Sequence, residues 1–202
     1  MMIIGITGPS GSGKGAVSEY LKSAYDFKVI DADRVYHHII SFPSDCVSEL
    51  AASFGYSIVN SNGGIDRKAL SHLVFGEENK DKLLLLNKIT HKYVIAEINK
   101  LLDEYRESGV EVTVIDAPLL IEAGVDKICD HVLAVVADKS IRADRIASRD
   151  GIDKASALLR IESQKPDSFY AKKCDGLLQN DFDLKTLHSL ADQYLRNRSI
   201  IK

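Results

Sequence analysis

The sequence predicts an α/β fold: a parallel sheet flanked by helices, with a helical lobe inserted between strands and a helical lid near the end. Three observations carry that expectation. The chain opens on a short β-branched run, Met2-Ile3-Ile4-Gly5-Ile6-Thr7, that feeds a glycine-dense loop and then a helical pattern. Strand-like runs recur at 27–30 and then, after a long stretch of helical periodicity, at 110–115 and 131–137. Beyond the last of them, Arg142, Arg145 and Arg149 fall on one face of a further helix.

Gly8-Pro9-Ser10-Gly11-Ser12-Gly13-Lys14 is the loop that organises the rest. Strand, G-x-x-x-x-G-K and helix in succession make a phosphate-binding loop. Its glycines let successive backbone N–H groups turn inward around an anion. The following helix adds unpaired N-terminal donors and the positive end of its dipole. Val17, Tyr20, Leu21 and Ala24 give that helix its apolar face. Gly11, Ser12, Gly13, Lys14, Gly15 and Ala16 are therefore the candidate nucleotide ligands, with Lys14 bringing a full charge to the outer phosphates. After the lysine such loops usually offer Ser or Thr to Mg²⁺, and here Gly15 and Ala16 carry no hydroxyl.

Bulk properties narrow the field. At 202 residues, 45% hydrophobic and 27% charged, the chain suits one soluble domain with inserted lobes. A net charge of -3 argues against a general nucleic-acid or membrane surface. Cys46, Cys129 and Cys174 form neither C-x-x-C nor a metal-ligand spacing, which suggests reduced thiols. His37 and His38 are adjacent and cannot share a face, so surface or capping roles are expected. With no basic leader and no long apolar run, a cytoplasmic protein is expected.

Along the chain, Phe27-Lys28-Val29-Ile30 reads as a second strand running into Asp31-Ala32-Asp33. Ligands of open parallel sheets sit beyond the carboxyl ends of strands, so at least one of these acids is expected to be catalytic, while the other can cap the next helix. From 42 to 109 helical patterns are broken by turns, the clearest at Asn60-Ser61-Asn62-Gly63-Gly64. Asp66 is positioned to cap the next helix, and a long helix is predicted over 82–107. The run 110–115 stops at Asp116, a weak signature of a second metal- or water-binding acid. The arginine helix ends at Gly151, Asp153 caps a following helix, and a last one is predicted over 184–195. Core segments 1–35, 110–138 and 174–202 are thus expected around an insertion at 36–109 and a lid at 139–173. Arginine suits a lid because its planar fork grips phosphate oxygens as the lid closes.

Several landmarks in register resemble the dephospho-coenzyme A kinase family. After the loop come Val29-Ile30-Asp31-Ala32-Asp33, Ile65-Asp66-Arg67-Lys68-Ala69-Leu70, Thr90-His91 and Ile115-Asp116-Ala117-Pro118-Leu119-Leu120-Ile121-Glu122. Arg145-Ile146-Ala147-Ser148-Arg149-Asp150-Gly151 and Arg160-Ile161-Glu162-Ser163-Gln164 complete the set. The resemblance covers residues 1 to about 165 and implies a P-loop kinase core, an inserted acceptor-binding lobe and a lid. It implies ATP-dependent phosphorylation of the ribose 3′-hydroxyl of dephospho-coenzyme A, with Mg²⁺. Phosphoryl transfer needs positioning and charge neutralisation, which sets the expected roles. Asp33 orients and deprotonates the acceptor hydroxyl, with Asp31 as second candidate. Arg149 and Arg145 cover the nucleotide, and Arg67 takes acceptor phosphates. His91 and Pro118 join the acceptor site, Leu119 and Leu120 pack on its adenine, and Asp33 and Asp116 hold the metal's waters. The chain departs from the family at Gly15-Ala16, Ser71, Lys92 and Ile121, where Ser-Thr, Arg, Pro and Phe are usual.

Two other functions share these features. A nucleoside monophosphate kinase fits the loop equally well, but not the Asp116–Glu122 stretch. A P-loop regulatory protein would hold nucleotide without an acceptor, and would have no use for Asp33 or the arginine helix.

Overall fold

The computed structural model describes the backbone of residues 1–202 and every side chain except that of Glu77. The strands are β1 (Met2–Thr7), β2 (Lys28–Asp31), β3 (Val112–Asp116), β4 (His131–Val136) and β5 (Gly176–Gln179). The helices are α1 (Lys14–Tyr25), α2 (Ala32–Ser41), α3 (Asp45–Phe54), α4 (Arg67–Val74), α5 (Lys80–Glu107), α6 (Lys139–Asp150), α7 (Lys154–Glu162), α8 (Asp167–Lys173) and α9 (Leu184–Asn197). They form two compact units, one of Met1–Ile30 with Ser108–Lys202 and one of Asp31–Glu107. No described helix is long and apolar enough to cross a membrane.

The sheet runs β2-β3-β1-β4-β5, with β1 at its centre. Ile4 pairs in parallel with Val114 on one side and His131 on the other, and β4 pairs in parallel with β5. A strand covered on both faces must be apolar throughout, which is why Met2–Thr7 reads as a continuous apolar run. Ile4 and Ile6 are fully buried, packed with Val17 and Leu21 of α1 and Leu187, Ala191 and Leu195 of α9. Each buried valine, leucine or isoleucine of this layer contributes about 1.5–3 kcal/mol of burial.

Helix α1 differs from its expected face. Val17, Ser18 and Leu21 are its buried residues, whereas Ala24 is exposed. The helix stops at Tyr25 because Asp26 turns left-handed (φ 54), so the stripe never reaches a further turn. Two elements went unpredicted: α8, which begins straight after Pro166, and the four-residue β5.

The second unit is helical. Asp31 caps α2 by accepting from the Arg34 N–H (3.0 Å), and Asp66 caps α4 from Lys68 and Ala69 (2.9 and 3.0 Å). Asn60 closes the glycine turn, its Oδ1 accepting from Asn62 and Gly64. Ile40, Leu50, Ile58, Leu70, Val74, Leu86 and Ile89 form one core against the 28-residue α5.

Candidate active site

The glycine loop lies between the carboxyl end of β1 and the start of α1. Gly11 and Gly13 have φ of 77° and 97°, a region closed to most side chains. They also touch what lies behind the loop: a Cβ on Gly11 would sit 2.7 Å from the Arg142 carbonyl, and one on Gly13 2.2 Å from Asn180 Nδ2. The glycines are required by packing behind the loop as well as by its curvature.

That packing consumes the loop's acceptors. Lys14 Nζ donates to the carbonyls of Gly8 (2.9 Å) and Pro9 (3.3 Å). Arg142 Nε donates to the Ser10 carbonyl (3.0 Å), and Arg145 Nη1 to that of Gly11 (3.3 Å). Buried Asn180 donates from Nδ2 to the Ser12 carbonyl (2.7 Å). The donors are left over. Among the described residues the backbone N–H groups of Gly11 and Gly13 make no hydrogen bond, and the buried Ser12 hydroxyl has no partner. Buried polar groups are otherwise nearly always satisfied, so this donor set fits an anion such as a triphosphate.

The arginine helix divides its labour. Arg142 is buried, and Arg145 is tied to the loop and, through Nη2, to the Asn180 carbonyl (3.1 Å). Arg149 is exposed and grips Asp150 with Nε (2.7 Å) and Nη2 (3.0 Å), while Nη2 also reaches Ser10 Oγ (3.4 Å). Arg149 and then Arg160 hold the Asp150 carboxyl at a pKa of about 2.

At the end of β3, Asp116 Oδ2 accepts from the buried Ser18 hydroxyl (2.7 Å). Next to it Pro118 is half-buried, and its carbonyl accepts from Thr7 Oγ1 (3.2 Å). Leu119 is 44% exposed. Leu120, expected beside it on an adenine, is instead fully buried with its methyls over Gly5, so it presents no surface to a ligand. In the second unit Asp33 and Arg67 are exposed in the first turns of α2 and α4, and His91 is half-buried on α5. Asp31 has one carboxylate oxygen engaged in its cap.

No group of three or more described His, Cys, Asp or Glu residues could hold a metal ion. Mg²⁺ commonly binds through one or two carboxylates together with substrate phosphates, and Asp116, steadied by Ser18, fits that pattern. Asn180 and Ser18 were not anticipated. Asn180 follows a strand too short to be recognised, and Ser18 reads as one more polar helix residue.

A parallel sheet of this order, with a G-x-x-x-x-G-K loop after its central strand and an acid ending the adjacent one, defines a P-loop phosphotransferase of the small-molecule kinase type. A family model described as dephospho-CoA kinase matches residues 2–186, and the chain belongs to that family. A dephospho-CoA kinase of Fusobacterium nucleatum is 39% identical over 194 residues, 96% of this chain and 97% of its own. One from Dehalococcoides mccartyi is 35% identical over 198 residues, 98% of each chain. Among solved structures, a Thermus thermophilus protein superposes with TM-score 0.75 at 29% identity, covering 97% of both chains. A shikimate kinase of Acinetobacter baumannii shares the fold alone, at TM-score 0.60 and 11% identity over 98% of this chain and 93% of its own.

Proposed function

We propose that this chain transfers the γ-phosphoryl group of ATP to the ribose 3′-hydroxyl of dephospho-coenzyme A, giving coenzyme A and ADP. The observation that carries the reading is the loop whose carbonyls are all spent while its inward donors are not. Gly11 to Ala16 hold the ATP phosphates, and Lys14 leaves its two carbonyls to neutralise charge on the transferred group. Arg149, tied to an exposed carboxylate, can exchange that partner for phosphate, while Arg145 supports the loop from behind.

Asp33 orients the acceptor hydroxyl and takes its proton as the bond to phosphorus forms. Asp31 keeps the helix that carries Asp33 in place through its cap. Arg67 and His91 bind the acceptor, and Pro118 and the exposed Leu119 offer it an apolar edge. Mg²⁺, when bound with ATP, supplies charge neutralisation at the β- and γ-phosphates. Asp116 and Asp33 are the residues that would hold its waters. The partner is a small molecule, neither nucleic acid nor membrane, and the setting is cytoplasmic.

The test is ADP release with dephospho-coenzyme A against a panel of nucleoside monophosphates. Turnover on dephospho-coenzyme A alone is expected, with Asp33→Asn losing about 10²–10⁴-fold and Asp31→Asn less. Faster turnover on cytidylate would overturn the assignment, and the reverse ranking of the two variants would move the base to Asp31.

A further inference from the structure

Arg142 is 5% exposed, yet no carboxylate is bonded to it. Its Nε donates to the Ser10 carbonyl (3.0 Å) and its Nη2 to Gln164 Oε1 (2.7 Å). The same Gln164 oxygen accepts from the Ser10 N–H (3.0 Å), so both backbone polar groups of Ser10 are fastened. Asp167 is the nearest carboxylate, 4.0 Å from Nη1 and 48% exposed. Of the other charged groups on this face, Arg145 is held by carbonyls and Arg149 by Asp150. Buried guanidiniums are normally paired with carboxylates, because desolvation of the bare charge is costly. Here burial pulls the guanidinium's pKa down, opposed by Asp167.

The Ser10 carbonyl belongs to the same peptide group as the Gly11 N–H. In a trans peptide the two point in opposite directions, so holding the oxygen against Arg142 aims the N–H the other way. A cation on the oxygen also polarises the group and strengthens its N–H as a donor. That N–H is one of the donors without a partner.

We propose that Arg142 is a positioning residue for the ATP phosphates, acting through the Ser10–Gly11 peptide, and that Gln164 is the neutral tie that leaves its charge offset only by the distant, half-exposed Asp167. This rests on the reading that the loop holds the phosphates. A glutamate at position 164 would keep the acceptor oxygens and the tie to Ser10. It would also cancel the charge that favours phosphate.

Gln164→Glu separates the charge from the scaffold. With Mg²⁺ present, its dissociation constant for ATP, measured by calorimetry, should rise about tenfold. Its melting temperature should stay level or rise, and its KM for dephospho-coenzyme A should stay unchanged. Asp167→Asn is the opposite perturbation on an exposed residue, and should tighten ATP about twofold. Unchanged or tighter ATP binding by a folded Gln164→Glu protein would overturn the proposal. If that protein does not fold, unchanged or weaker binding by Asp167→Asn overturns it instead. Lys14→Ala tells the two levels apart. If it leaves ATP affinity intact, the loop reading fails; if it weakens ATP while Gln164→Glu does not, only the role of Arg142 fails.

Discussion

Gly15→Ser tests the loop at the position after Lys14, where a P-loop usually carries a hydroxyl. Gly15 lies in the first turn of α1, outside the left-handed region, and a Cβ placed on it meets nothing within 4 Å. The substitution therefore costs no strain, and it removes conformational freedom from the unfolded chain. Glycine in a helix is about 0.5–1 kcal/mol worse than alanine, and serine lies between them. A gain of about 0.5 kcal/mol corresponds to about 1–2 °C in melting temperature for a chain of this size. On the proposed function, the new hydroxyl would also offer Mg²⁺ a protein ligand. Valued as one net hydrogen bond, about 0.5–1.5 kcal/mol, it lowers the half-saturating free Mg²⁺ by about 2–12-fold. Gly13→Ala is the internal contrast. It enforces a side chain at φ 97° and drives its Cβ to 2.2 Å from Asn180 Nδ2, at the expense of the bond to Ser12. That variant should lose about 3 kcal/mol. Turnover against free Mg²⁺ and thermal melts of both variants decide the matter. A Gly15→Ser protein that melts below the parent refutes the geometric argument. One that melts higher with an unchanged Mg²⁺ requirement refutes the claim that the missing hydroxyl matters.

Two further outcomes are expected. Tyr20 and Tyr25 of α1 both donate to Asp192 Oδ1 of α9 (2.7 and 2.8 Å), with Tyr20 stacked on His188 at 3.9 Å. Asp192→Asn should lower stability by about 1–3 kcal/mol in urea titrations without changing KM for ATP, and a loss below about 0.5 kcal/mol would show the cluster to be incidental. The Asp150 carboxyl is held at a pKa of about 2 by Arg149 and Arg160, below its usual 3.8. A depressed folded pKa gives a contribution that is present above about 4 and lost as pH falls through about 2. Asp150→Asn should therefore flatten the acid limb of the stability profile between those values, and an unaltered limb in acid-titration melts would contradict the pairing.

What the sequence revealed, and what it hid, follows from how locally each feature is encoded. The strand at 2–7, the loop after it and the Gly151 stop of α6 are written in consecutive residues, and the fold follows from them. β5 has only Gly-Leu-Leu-Gln, too short for a period, and becomes a strand by pairing with β4. Without it nothing points to Asn180. The three arginines of α6 were legible as one face, but which is buried depends on Ser10 and Gln164, distant in sequence. Ser18 looks like a solvated helix residue until Asp116 is brought opposite it. Leu120 shows the converse: apolar residues beyond a strand can serve ligand or core, and a glycine at position 5 on β1 makes room for it inside.

The order of the sheet also bears on how the chain assembles during synthesis. β1 is translated before the rest of the sheet and occupies its middle, yet Ile4 waits for Val114, roughly 110 residues later, and for His131 beyond that. At about 5–20 residues per second that delay is on the order of 5–25 s. Residues 31–107, by contrast, are continuous and make their core among themselves, so they can condense while β1 still lacks neighbours. An apolar strand left unpaired for seconds is a target for chaperones and for misassociation. The glycine loop thus leaves the ribosome well before it can take its form, since its clasp from Arg142, Arg145, Gln164 and Asn180 lies more than 120 residues further along the chain.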